Sequence, residues 1–229
     1  MAVLEQLVAH EPQALEEGGT LRRLWTAEQA AETGSPELTT LIPAQATTLA
    51  SRGNPLPVPW FAQLDSATDQ GRRMCFSSSC AMLLAFLRPG LLSGPNGDDQ
   101  YLARVRQFGD TTDPVAQIKA LASYGITARF SKQASFSPLE VQIAAGFPVP
   151  CGYLQRGPVS NPSGGGHWLL VVGLAPTQLI VHDPLGEADL VNGTTVGGTA
   201  RFCRYSRRNF ARRWMVEGEG TGWAVLAEG

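Results

Sequence analysis

Residues 167–184 read HWLLVVGLAPTQLIVHDP, and this stretch decides the fold class. Two runs rich in Leu, Val and Ile, HWLLVVGLA (167–175) and QLIVHDP (178–184), flank a turn near Ala175-Pro176-Thr177. Apolar, β-branched runs bounded by turn residues read as paired strands. A hairpin with that turn lays the start of the first strand beside the end of the second. His167 then stands beside Asp183, so an imidazole and a carboxylate meet on one edge of the sheet. His182 points to the opposite face from Asp183, because successive strand residues alternate.

Working outward, PVPCGYL (148–154), ITARFSK (126–132) and GWAVLAE (222–228) read as further strands. The upstream half has helical character instead. CFSSSCAMLLAFL (75–87) reads as a buried helix stopped at Pro89-Gly90, and DQYLARVRQF (99–108) as a second. Asp113 caps a third, PVAQIKALASYG, with Pro114 at its first position and Gly125 past its end. Ser137 is expected to cap a short helix over PLEVQIAAG. Helices followed by an antiparallel sheet define an α+β fold.

Residues 1–50 differ in composition. Segments 3–17 and 21–33 carry helix formers, and a Thr-, Ser-, Pro- and Gly-rich linker follows. Two domains are expected: an N-terminal helical extension and linker over 1–50, and a compact domain over 51–229. The chain of 229 residues is 43% hydrophobic with a formal charge of −2. That balance excludes disorder and gives no electrostatic footprint for nucleic acid. No apolar run of membrane-spanning length is present. No secretory signal is visible at the N-terminus, so a cytoplasmic chain is expected and Cys75, Cys80, Cys151 and Cys203 are read as reduced thiols.

The chemistry gathers around Cys75. It starts a helix after the polar loop DSATDQGRRM, where the helix dipole and Arg72 and Arg73 favour a thiolate. A thiol nucleophile needs a base, a group to orient that base and a donor for the oxyanion. His167 and Asp183 supply the first two. Gln63, or Gln70 closer to the cysteine, supplies the last. Cys80, Cys151 and Cys203 lie in apolar contexts and read as packing residues. The bland alternative makes Cys75 a core residue and His167 a structural one. NPSGGG (161–166) precedes a strand, not a helix, so it reads as a hinge or cleft wall and not a phosphate cradle. Six arginines between Arg201 and Arg213 read as a solvated helix face or an attractor of anionic polymers.

The order of Gln63, Cys75 at a helix start, Gly166-His167-Trp168 on a strand and Asp183-Pro184 on the next resembles papain-like cysteine peptidases. The branch it resembles comprises the bacteriocin-leader-processing, or double-glycine, peptidases. VPWFAQLDSATDQGRRMCFSSSCAML looks like that branch's entry arm and nucleophile helix, and RNFARRWMVEGEGTGWAVLAE like its closing segment. The resemblance covers roughly residues 57–228. It implies a papain-like α+β fold with Cys75 as nucleophile, His167 as base and later acid, Asp183 as its orienter and Gln63 as oxyanion donor. It implies hydrolysis of peptide or isopeptide bonds without metal or organic cofactor. The partner would be a peptide, a protein or a peptidoglycan stem peptide; a wall lysin would reach the wall by non-classical export or virion delivery. Phe76 departs from the small or turn-forming residues that often follow the cysteine in this family, and is expected to narrow the cleft. Two rival readings keep the scaffold: a non-catalytic binding module, and an acyl transferase using the same triad.

Overall fold

The computed structural model describes residues 53–228. The extension expected over residues 1–50 lies outside the described residues. Among the described residues, no helix is long and apolar enough to cross a membrane.

An extended arm enters first, and its Leu56 N–H donates to the Val172 carbonyl. A single 3₁₀ turn, Gln63–Asp65, follows it. Helix α1, Cys75–Leu87, begins and ends where the sequence places it, and its first ten residues are all buried. Of the three serines in this buried first turn, two find partners, and the Ser79 hydroxyl has none. Ser77 shares a hydrogen bond with Thr111, and its Oγ also accepts from Gln117 Nε2 (2.8 Å). Ser78 donates to Asp98 at 2.6 Å. These bonds tie the start of α1 to α2, Gly97–Val105, and α3, Pro114–Ser123. In α3 the Asp113 carboxylate accepts from Val115 N–H at 2.8 Å, as its capping role requires.

Strand β1, Ala128–Ala134, leads to α4, Phe136–Ala144. This helix starts before Ser137, with Ser135 as the flanking residue, so the Ser137 cap is corrected. Strands β2 (Val149–Arg156), β3 (Ser163–Leu174) and β4 (Gln178–His182) follow. A small hairpin, β5 (Glu187–Asp189) and β6 (Thr194–Gly197), precedes β7 (Cys203–Ser206), α5 (Arg207–Trp214) and β8 (Gly222–Ala227). The main sheet has the order β1-β8-β2-β3-β4-β7, and every pairing is antiparallel. The fold is therefore α+β, with α1 packed on the central strands β2 and β3.

Two local expectations change. Strand β3 starts at Ser163, so the three glycines before His167 lie within the strand, where Gly166 pairs with Leu154 and Gly164 and Gly165 stand at a register shift. Glycine has poor strand propensity, but pairing to a neighbour overrides it. The arginine cluster is not uniformly solvated. Arg213 is buried and donates to the carbonyls of Leu190, Leu154, Arg156 and Gly157 at 2.6–3.1 Å. It fastens the loop that joins β2 to β3. Phe210 and Trp214 bury the apolar side of the same helix.

Candidate active site

The nucleophile candidate is the first residue of α1. Helix N-termini leave their first N–H groups without intrahelical partners, so the Cys75 thiol stands beside free backbone donors. Cys75 is 9% exposed and His167 3%. The Cys75 sulfur lies close enough to the imidazole to act on its charge. On its other side the His167 Nε2 meets Asp183 Oδ1 at 2.7 Å. Using Nε2 for the carboxylate leaves Nδ1 for the thiol. Cysteine, histidine and aspartate are thus neighbours in one buried site. Burial by itself lowers the proton affinity of His167. The charges of Asp183 and Cys75 outweigh it and raise the imidazole well above its ordinary value.

Asp183 is completely buried. Its Oδ1 also accepts from Leu185 N–H at 3.0 Å. Its Oδ2 accepts from the hydroxyls of Tyr153 (3.3 Å) and Tyr205 (3.2 Å). Its backbone is held as well: the carbonyl accepts from Trp60 Nε1 at 3.1 Å, and its N–H donates to Ala200 O at 2.9 Å. Trp60, Tyr153 and Tyr205 carry no motif signal. Strand alternation puts Tyr153 on one face of β2, but only the register shows that this residue stands opposite His167.

The two glutamines separate clearly. Gln63 is buried, its Nε2 donates to Gly71 O at 2.7 Å, and its Oε1 has no partner. Its backbone N–H donates to Pro184 O at 2.9 Å, which fixes the 3₁₀ turn beside the Asp183 strand end. Gln70 binds surface neighbours instead: Nε2 donates to Asp69, and Oε1 accepts from Arg73. Arg73 is further paired with Asp110.

Phe76 does not narrow a cleft. It is 1% exposed and stacks on Trp168, with ring centroids 3.6 Å apart and planes 2° from parallel. Phe76 follows Cys75 and Trp168 follows His167, so this stack bolts the nucleophile helix to the base strand. Gly152 on β2 makes it possible: a Cβ there would come within 2.8 Å of the Trp168 ring. The opposite holds beside His167, where a Cβ on Gly165 or Gly166 would meet nothing within 4 Å. All four cysteines are free thiols. Burial pushes the Cys80 and Cys151 thiols far up, as suits packing residues, and pushes Cys203 up to about 11. Among the described residues, no three His, Cys, Asp or Glu side chains are placed to share a metal ion.

His182 occupies a different environment. It is buried, edge-on to Phe202 with centroids 4.5 Å apart, and makes no contact with Asp183 of the kind His167 makes. Burial and the Arg201 charge push it down to about 4, against a contact with the Pro59 carbonyl.

No protein-family model and no curated protein matches this chain. Its structure has the mixed helical and antiparallel architecture of papain-like C39 peptidase domains. It is similar to a Bacillus anthracis protein described as a C39-like peptidase, with 16% identity, 76% of this chain and 96% of that one covered, and a TM-score of 0.52. At that identity the likeness is one of fold. Two further solved structures are similar at a TM-score of 0.45. One is a double glycine motif protease from an AMS/PCAT transporter, in complex with the leader peptide (17% identity; 78% of this chain, 95% of that one). The other is the peptidase domain of Streptococcus ComA, a bi-functional ABC transporter of a quorum-sensing pathway (18% identity; 68% and 91%).

Proposed function

We propose that this chain is a cysteine peptidase in which Cys75, His167 and Asp183 form the catalytic triad. The observation that carries the reading is the His167–Asp183 hydrogen bond of 2.7 Å, with the Cys75 sulfur in electrostatic reach of the same imidazole. His167, raised well above its ordinary value, already holds the thiol proton, so Cys75 attacks an amide carbonyl as the thiolate and the imidazolium gives its proton to the leaving amine. Water, activated by the same imidazole, hydrolyses the thioester. The Cys75 backbone N–H and the Gln63 amide supply the oxyanion donors. Gln63 suits that role better than Gln70, because Gln63 is buried and anchored beside Pro184 while Gln70 is spent on Asp69 and Arg73.

The substrate in this reading is a peptide or isopeptide bond. A cross-linked peptidoglycan stem peptide offers both bond types and is the first polymer to try. In the test, release of new amino groups from peptidoglycan and from an unfolded protein is measured for the full chain and for Cys75→Ala. The variant is expected to lose turnover while keeping its melting temperature. Full activity in the variant ends the reading.

One observation favours a second outcome for the same triad. Cys75 and His167 are nearly closed to solvent, which protects a thioester from water and lets an amine take the acyl group. Product mass in the presence of an added amine separates transfer from hydrolysis. The binding-module reading drew on the departure at Phe76 and on the N-terminal segment; Phe76 lies in the core, and the segment lies outside the described residues.

A further inference from the structure

We propose that Tyr153 and Tyr205 are positioning residues for the His167–Asp183 pair, their hydroxyls holding the Asp183 carboxylate in the one orientation that serves the imidazole. The inference rests on the cysteine-peptidase reading above and adds two residues to it.

The argument is an account of lone pairs. An ionised carboxylate offers about four acceptor sites. Asp183 receives four donors: His167 Nε2 and Leu185 N–H on Oδ1, and Tyr153 and Tyr205 on Oδ2. Nothing is left over, so the group cannot turn without losing a bond in a site closed to water. The direction of each bond is also fixed. Ala188 N–H donates to the Tyr205 oxygen at 2.7 Å, so the single Tyr205 proton is free to point at Asp183. Burial raises both phenols, and the Asp183 charge raises them further, so each remains a protonated donor.

Tyr153 touches both members of the pair. It faces His167 directly across the β2–β3 ladder, and its ring lies edge-on to the imidazole, 5.6 Å away at 75°. Phe210 packs on its other side at 5.4 Å. One side chain therefore limits the tilt of the imidazole and the rotation of the carboxylate. The remaining titratable groups in electrostatic reach are Cys75 on α1, Cys203 on β7 and Arg213 on α5, the last acting on Tyr153.

Removing a hydroxyl leaves the carboxylate less shared, so it draws the His167 proton harder. The experiment follows the rate of iodoacetamide labelling of Cys75 against pH, by peptide mass, in the full chain. Parent, Tyr153→Phe, Tyr205→Phe and His167→Ala are compared. The parent is expected to show an alkaline midpoint set by His167, distinct from the single ordinary thiol ionisation that remains in His167→Ala. Tyr153→Phe is expected to move that midpoint upward by roughly half a unit to one unit and to slow peptide turnover several-fold at unchanged KM. Tyr205→Phe also strips Ala188 N–H of its acceptor, so Tyr153→Phe, which keeps its ring, is the decisive variant. A Tyr153→Phe profile that superimposes on the parent, with only the melting temperature lowered, makes the tyrosine structural and overturns the proposal. A parent with no midpoint that depends on His167 overturns the peptidase reading itself, and this proposal with it.

Discussion

His167 and His182 sit on neighbouring strands of one sheet, both buried, and their imidazoles are pushed in opposite directions. His182 shows what burial does alone: the charged form is penalised and the ring is lowered to about 4. His167 suffers the same penalty, yet the Asp183 carboxylate and the Cys75 sulfur reverse it. The strands also treat them differently. Trp168, next to His167, stacks on the neighbour of Cys75, while the residue next to His182 is Asp183 itself, turned toward His167. Burial thus pushes both histidines the same way, and the neighbouring charges of Asp183 and Cys75 decide that only His182 ends low.

Asp183→Asn breaks the comparison outright. It removes the charge and offers an amide to sites filled by donors, so His167 falls to the condition of His182. Peptide turnover is expected to drop about 10²- to 10⁴-fold, read as kcat/KM on a substrate the parent cleaves. A loss below tenfold contradicts the role given to Asp183.

Gly152→Ala attacks the mechanical half of the contrast. The added methyl enters the Trp168 ring space, so the Phe76–Trp168 stack must shift. Overpacking of this kind costs about 1–3 kcal/mol, measurable by urea unfolding. Turnover is expected to fall as well, because the stack spaces Cys75 from His167. Unchanged turnover at reduced stability would confine the stack to a packing role.

His182→Gln sharpens the comparison with the smallest effect on activity, which is expected to stay at the parent level near neutral pH. The signal lies in acid stability. The folded value of His182 is depressed, so the unfolded chain binds the proton first as pH falls. Its contribution is therefore present above the ordinary value of 6.5 and is lost on the way down to about 4. The parent should lose roughly 3 kcal/mol relative to the variant across that window. Buried Asp98, raised to about 6, acts with the opposite sign in both proteins, so the difference between them isolates His182. Parallel stability curves would show that His182 is not buried in its neutral form.

Much of this site was legible in the chain because its parts are local. The hairpin turn beyond Leu174 brings the two strands together, but a register shift between Val171 and Gly173 is what puts His167 and Asp183 on one face of the sheet. The boundaries of α1 and the Asp113 cap followed from a stop signal and a side-chain oxygen at the right offset. Ser137 misled because Ser135 flanks the helix instead, and an N-terminal boundary is free to slide by a residue or two where no side-chain cap bond pins it. The glycines at 164–166 misled because pairing of Ser163 and Gly166 with β2 carries the strand through them despite their own preference.

The sequence by itself determined the helix that presents Cys75, the capped helix after Asp113 and the hairpin that carries His167 and Asp183. Periodicity, caps and turns act over a few residues, and each leaves a local trace. Only the tertiary structure decided that Phe76 turns inward onto Trp168, that Arg213 ties a loop, that Gln63 is the buried glutamine and that two tyrosines converge on Asp183. Those partners come from strands and helices far apart in the chain. Their meeting depends on register and close packing across the sheet, which no single segment encodes.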